Sequence, residues 1–276
     1  LKKLVEYFFS RYNFISETGN FRKLLYLFVT VKIFYWLSFY NLFFGKNAFV
    51  YTQPISLNFF KDYAYVLYSS QSKTIGYVFL YGALILLVLS YSLKKIPFVF
   101  EFILWFLVLN IHNKLYPTLT GGSYLINQFL FFNCFFSKCN QANLDWKKSI
   151  SVCFHNFGII ATILQILMVY LIAALSKLND NDWIYGVALY KISKVGHYNI
   201  FSNWFNSNYI VDVLLNYVVL GYQLLFPVLV WIKKIKKMFL LLGILMHLYI
   251  AFVIGLVEFG SVMIISYIIF WPIKKQ

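Results

Sequence analysis

The residue best placed for chemistry is Lys177. It closes an apolar stretch, QILMVYLIAALS, and is followed by Asn179-Asp180-Asn181-Asp182, Trp183 and Gly186. An amine at the end of a membrane helix, below an acidic turn and an aromatic anchor, is suited to accept a proton. Partial desolvation favours the neutral amine that a base requires. The same lysine has a plainer reading, as an ion pair with Asp180 or as a stem that carries its ammonium to the headgroups. His247 is the second candidate site residue. Inside an apolar run, a neutral imidazole either serves a site or bonds a neighbouring helix.

Lys32, well inside another apolar run, is a functional candidate by position, with pairing or snorkelling as its structural alternative. Gln165 and Gln223 are expected as interhelical hydrogen-bond partners. Asp180 and Asp182 form a potential carboxylate pair in a polar turn. His112 and His197 are expected in loops. Cys134, Cys139 and Cys153 lack metal-ligand spacing and make no disulfide framework, and no HExxH pattern occurs, so no metal site is expected.

The elements that must carry these residues are membrane helices. The 276 residues are 61% hydrophobic and 12% charged, which excludes an ordinary soluble domain. Several apolar runs approach or exceed the length of a bilayer crossing, and only helices or closed barrels satisfy their backbone there. The net charge of +15 is that of basic loops between spans, not of a nucleic-acid surface, because no basic fold motif accompanies it. The expected class is all-α: a polytopic membrane helix bundle of about eight transmembrane helices, with interfacial helices in the exoplasmic loops and the whole of residues 1–276 in one domain.

Taken in order, residues 1–23 read as a cytoplasmic amphipathic segment of aromatics among Lys2, Lys3, Arg11, Arg22 and Lys23. Spans are expected at 24–44, 75–93, 98–111, 124–136, 155–177 and 210–232. The stretch 238–272 has room for two short crossings divided near 256–260, or for one. Glu101 is expected at the cytoplasmic headgroups beside Lys94-Lys95. Residues 45–74 and 178–209 read as exoplasmic loops with interfacial helices, Trp183 and Trp204 anchoring the second. Residues 112–125 read as a short loop marked by His112, Pro117 and Gly121-Gly122. On this layout 16 of the 24 Lys and Arg fall inside and 7 outside, with Lys32 within a span. The bias favours eight spans with both termini cytoplasmic, and it puts Lys177 on the exoplasmic side.

Four stretches resemble the HTTM (horizontally transferred transmembrane) family, related to the vitamin K-dependent gamma-glutamyl carboxylases. They are FEFILWFLVLNIHNKLYPTLTGGSYLINQFLFF, QILMVYLIAALSKLNDNDWIYGVAL, YQLLFPVLVW and LGILMHLYIAFVIGLVEFGSVMI, within residues 100–265 and in the family's order. The resemblance covers the membrane part only. It implies that Lys177 stands where the carboxylases carry the lysine proposed to deprotonate vitamin K hydroquinone, with a quinone-like cofactor. This sequence departs from the pattern at Gly121-Gly122, where the carboxylases have Asn-His before Ser-Tyr-Leu. It also ends soon after its last apolar run, without their large exoplasmic domain. Gamma-carboxylation of a docked protein is therefore not the expectation.

Two functions follow. One is a multi-pass protein of the bacterial inner membrane, acting as a subunit of an envelope, export or maturation complex beside other membrane or secreted proteins. The other is a membrane enzyme that modifies a secreted peptide or lipid-soluble substrate, with Lys177 as base and His247 nearby. The discriminating observation is whether Lys177 and His247 face one site or are sealed by packing. A transporter is less favoured, since no inverted repeat is evident.

Overall fold

The structure is a computed structural model, described over residues 8, 13–45, 48, 73–92, 97–136, 146–194 and 208–271. Among the described residues there are eleven α-helices and two 3-10 turns, and no strand. The chain divides into two compact units, Leu1–Ile159 and Ile160–Gln276.

The first unit holds α1 (Ile15–Ser38), α2 (Tyr40–Phe44), α3 (Lys73–Ser92), α4 (Phe98–Lys114), α5 (Gly121–Asn133) and the first part of α6 (Trp146–Leu178). The second holds the rest of α6, then α7 (Asn181–Ile184), α8 (Ala188–Lys194), α9 (Tyr209–Leu229), α10 (Lys236–Phe252) and α11 (Val257–Ser266). In the first unit α3 packs on α1 and α4, and α4 on α5; in the second α9 packs on α8 and α10, and α10 on α11.

Local sequence explains the boundaries. α1 buries Thr18, Phe21, Arg22, Leu25, Tyr26, Val29, Ile33 and Trp36, a stripe at helical spacing. α4 starts directly after Pro97, where a missing N–H costs nothing. α5 starts with a capping box: Thr120 accepts from the first turn, and Ser123 reaches back to the Thr120 N–H. Asn208 caps α9 by accepting from Ile210 N–H at 3.0 Å.

Helices occupy every stretch where a span is expected, but helix formation alone does not make a crossing. Three of them contain stretches long and apolar enough: Thr74–Ser92, Ile150–Leu178 and Tyr209–Leu229. The stretch 238–272 contains two helices, α10 of 17 residues and α11 of 10, separated by residues 253–256.

Four expectations are corrected. His112 is not a loop residue; it lies in the last turn of α4 and is fully buried. Gly121 and Gly122 form the first turn of α5, because the Thr120 cap starts the helix before them. Glu101 is not exposed at a surface; it is buried against α1. Arg22 is not in a surface segment; it is buried within α1 and faces Glu101. The expectations for residues 1–7 and 9–12, for most of 45–72, and for Lys94-Lys95, Lys138, Cys139, His197, Trp204 and Lys274-Lys275 lie outside the described residues.

Candidate functional site

In the second unit, Lys177 sits half-buried in the last turn of α6. Its ammonium lies 4.7 Å from the centre of the Trp183 ring. A cation over an indole face is attracted by the ring quadrupole, so Trp183 satisfies part of the charge. Asp180 has a different task from pairing with Lys177: its carboxylate accepts from the Asp182 N–H at 2.8 Å and caps α7. Asp182 pairs with Lys191 at 2.6 Å, both largely exposed. These carboxylates are therefore spent separately, not as a catalytic pair.

α9 holds Trp183 in place. The Asn216 amide donates to the Trp183 carbonyl at 2.9 Å, and the Tyr217 hydroxyl donates to the Ile184 carbonyl at 2.8 Å. Gly186 follows with φ of 77°. A side chain there would be strained and would meet Tyr217 and Val213. The Trp…Gly part of the sequence pattern thus has a local cause: it folds the chain back against α9.

His247 is 1% exposed and belongs to a buried aromatic cluster. Its Nε2 lies 2.6 Å from the Tyr170 hydroxyl of α6. Tyr170 also bonds the Tyr267 hydroxyl, Tyr267 bonds Tyr222 at 3.0 Å, and Tyr222 donates to the Phe239 carbonyl at 3.3 Å. Phe226 stacks on Tyr170 with ring centres 4.0 Å apart. α10 can approach these hydroxyls only because residue 243 is glycine; a Cβ there would overlap the hydroxyls of both Tyr222 and Tyr267. Among the described residues, no hydrogen bond or ion pair joins His247 to Lys177.

The first unit contains a cluster whose members were not linked by sequence. The Lys32 ammonium donates to His112 Nε2 at 2.8 Å and to Ser123 Oγ at 3.3 Å. It also lies 4.8 Å from the centre of the Trp36 ring. Since an ammonium can only donate, His112 Nε2 accepts, and Nδ1 carries the proton that it gives to Asn127 Oδ1 at 2.7 Å. This wiring fixes a neutral imidazole with both ring nitrogens engaged. Lys114, just beyond this cluster, has its pKa lowered from the ordinary lysine value by partial burial.

A second cluster in this unit joins α1, α4 and the end of α5. Arg22 donates through Nε to Asn133 Oδ1 at 3.2 Å, and through one terminal nitrogen to the carbonyls of Asn133 at 3.0 Å and Phe136 at 2.7 Å. A cation at those carbonyls suits the negative end of α5. Its other terminal nitrogen is 3.9 Å from Glu101, whose carboxylate also accepts from Tyr26. Cys134 beside it and Cys153 on α6 are free thiols.

The sequence singled out Lys177 and His247, and the fold engages each with a different aromatic partner. It missed Tyr170, Tyr222 and Tyr267, which are hard to distinguish among 23 tyrosines. Tyr170 does carry one signal: it lies two turns before Lys177, on the same face of α6. Searched against protein-family models, curated proteins and solved structures, the chain finds no match. The family resemblance therefore rests on the four quoted stretches alone.

Proposed function

We propose that this chain is a multi-pass protein of the bacterial inner membrane, with both termini cytoplasmic, that works as a subunit of an envelope, export or maturation complex. One observation carries this reading over an enzymatic one: His247 is sealed within packed aromatic rings, while Lys177 rests on Trp183. A base and its partner at a reaction centre would converge on one exposed point, and these two do not. The helices also present many large apolar side chains outward, including Val78, Ile85, Leu164, Ile172, Leu214 and Val228. Such a surface suits lipid and neighbouring membrane helices.

An enzyme is the second reading, favoured by Lys177 itself. Its amine is half-buried at a helix end under an indole, which suits a base that meets a lipid-soluble substrate at the membrane surface. The HTTM resemblance adds a quinone-like cofactor to this reading.

Mild-detergent purification of the tagged protein, followed by mass spectrometry of bound proteins and lipids, separates the two. Stoichiometric protein partners retained equally by Lys177→Ala support the subunit. A bound quinone or isoprenoid lost in Lys177→Ala, with no protein partner, would overturn it in favour of the enzyme.

A further inference from the structure

The tyrosine–histidine chain of the second unit has an open end. Among the described residues of this unit, three buried side-chain polar atoms lack a hydrogen-bond partner: His247 Nδ1 in the chain, and Asn216 Oδ1 and Gln223 Oε1 outside it. Counting protons fixes what each offers. Tyr222 has one hydroxyl proton and gives it to the Phe239 carbonyl. Tyr267 must then donate to Tyr222, and Tyr170 to Tyr267. His247 is left as donor to Tyr170 through Nε2, so its Nδ1 presents a bare lone pair. Asn216 uses its NH2 on Trp183, which leaves its oxygen as the open acceptor. Two acceptors, 1% and 0% exposed, thus stand unpaired at His247 and Asn216. A third, on Gln223, is next to Tyr222 in sequence.

These atoms are ordered along the unit. α9 and α10 pack together across the short turn at residues 230–235, and Tyr222 meets Phe239 near that turn. His247 lies about 12 Å further along α10, and Asn216 about 9 Å back along α9, at 1.5 Å per residue. Both are displaced towards the Trp183 end. The opposite end reaches Phe239, in the first turn of α10 with Lys236 and Lys237. Asp212, 6% exposed and bonded by Ser193 Oγ at 3.4 Å, is one turn beyond Asn216, and Tyr249 of α10 is near it.

We propose that His247, Tyr170, Tyr267 and Tyr222 form a proton relay, fed at the His247 end by water held on the open acceptors. Buried unpaired acceptors are costly, and internal water is their usual partner. A proton arriving at His247 Nδ1 releases the Nε2 proton to Tyr170. Each hydroxyl passes its own proton to the next oxygen, and the Tyr222 proton leaves to water at the Phe239 end. One proton enters and one leaves; only O–H and N–H bonds change, and no oxidant or co-reactant is needed. Rotation of the hydroxyls and a proton exchange at the imidazole restore the starting order. Gly243 is part of this device, because a Cβ would break the Tyr222–Tyr267 step. The relay is independent of which proteins the chain docks with, and it would let a subunit draw on a proton gradient.

The test is proton uptake into proteoliposomes that contain a pH-sensitive dye, driven by a potassium diffusion potential. Wild-type vesicles are expected to acidify faster than protein-free vesicles. Tyr170→Phe and Tyr222→Phe, which remove one hydroxyl and keep the ring, are expected to slow this about a hundredfold, the lower range for a positioned proton-transfer group. Tyr91→Phe removes a hydroxyl of the first unit that bonds the Lys23 carbonyl and is expected to conduct as wild type. Wild-type uptake no faster than in protein-free vesicles overturns the proposal. So does a folded Tyr170→Phe or Tyr222→Phe, judged by its unfolding temperature, that conducts as wild type. If both phenylalanine variants fail to fold, Tyr267→Phe decides, with unchanged uptake counting against the relay.

Discussion

Replacing Arg22 with Met keeps most of the buried stem and removes the guanidinium. Three hydrogen bonds go with it, two of them to carbonyls at the end of α5. Hydrogen bonds to a charged donor contribute about 1.5–3 kcal/mol each in water-soluble proteins. In membranes the unfolded reference also finds partners, and measured side-chain bonds average only about 0.6 kcal/mol. Breaking a buried pair costs about 3–5 kcal/mol. The expected loss for Arg22→Met is therefore about 2–5 kcal/mol, set by whichever reference state applies.

The ion pair is isolated by a double-mutant cycle. Glu101→Gln keeps an acceptor for Tyr26 and removes the charge. At the 3.9 Å separation and an effective dielectric of about 20, the attraction is at most about 4 kcal/mol, and desolvation offsets much of it. A coupling of about 1 kcal/mol or more is expected between the two changes, so the double variant falls less than the single effects predict. Reversible unfolding in mixed micelles of mild and denaturing detergent, followed by circular dichroism, supplies all four stabilities. A single Arg22→Met effect under about 0.5 kcal/mol, or a strictly additive double variant, would refute the buried pairing of α1 with α4.

Gly243→Ala is expected to destabilise the second unit by about 1–3 kcal/mol, the range for forced overpacking, and an unchanged unfolding temperature would contradict the close approach of α10 to Tyr222 and Tyr267. Lys32→Met removes the donor to His112 Nε2 and should cost about 1–3 kcal/mol, while Lys32→Met with His112→Phe should recover part of it, since an apolar pair leaves no unpaired ring nitrogen; equal losses in single and double variants would argue against the direct bond. The proposed orientation predicts that, in a cysteine-free background, Asp182→Cys is labelled by an impermeant maleimide on intact spheroplasts and Lys233→Cys only after permeabilisation; the reverse pattern would invert the topology.

Much of the helical layout was legible because apolar runs and Pro97 act locally. The pairings were not. Lys32 and His112 are 80 positions apart and Tyr170 and His247 are 77 apart, and an apolar stripe identifies a buried face without naming the helix that covers it. Turn residues misled the reading at one place: Pro117 and Gly121-Gly122 drew the loop too wide, so His112 was assigned outside α4 and Ser123 outside α5. Arg22 was misread for a different reason. Its charge argued for a surface segment, although Thr18, Arg22 and Tyr26 repeat every four residues and place it on the buried stripe. In an apolar bundle, periodicity outweighed residue type there, because a partner on another helix offset the cost of the charge.

The two buried histidines His112 and His247 show why burial alone does not define a site. His112 has a cation on one nitrogen and an amide oxygen on the other. Protonating it would set an imidazolium against the Lys32 ammonium, so this ring can hold α1, α4 and α5 together but cannot pass a proton without breaking that contact. His247 has one nitrogen on a chain of hydroxyls and the other unpaired. It can gain a proton on one side as it loses one on the other, and remain neutral throughout. A carrier in a low-dielectric interior needs that property, because a resident charge there would cost several kcal/mol. The distinction also sets Lys177 apart: its charge is met by the Trp183 face at a helix end, and among the described residues no neighbour bound to it can accept a proton in turn. The chemistry that this fold can support in its interior therefore centres on His247, and Lys177 remains a group at a helix end.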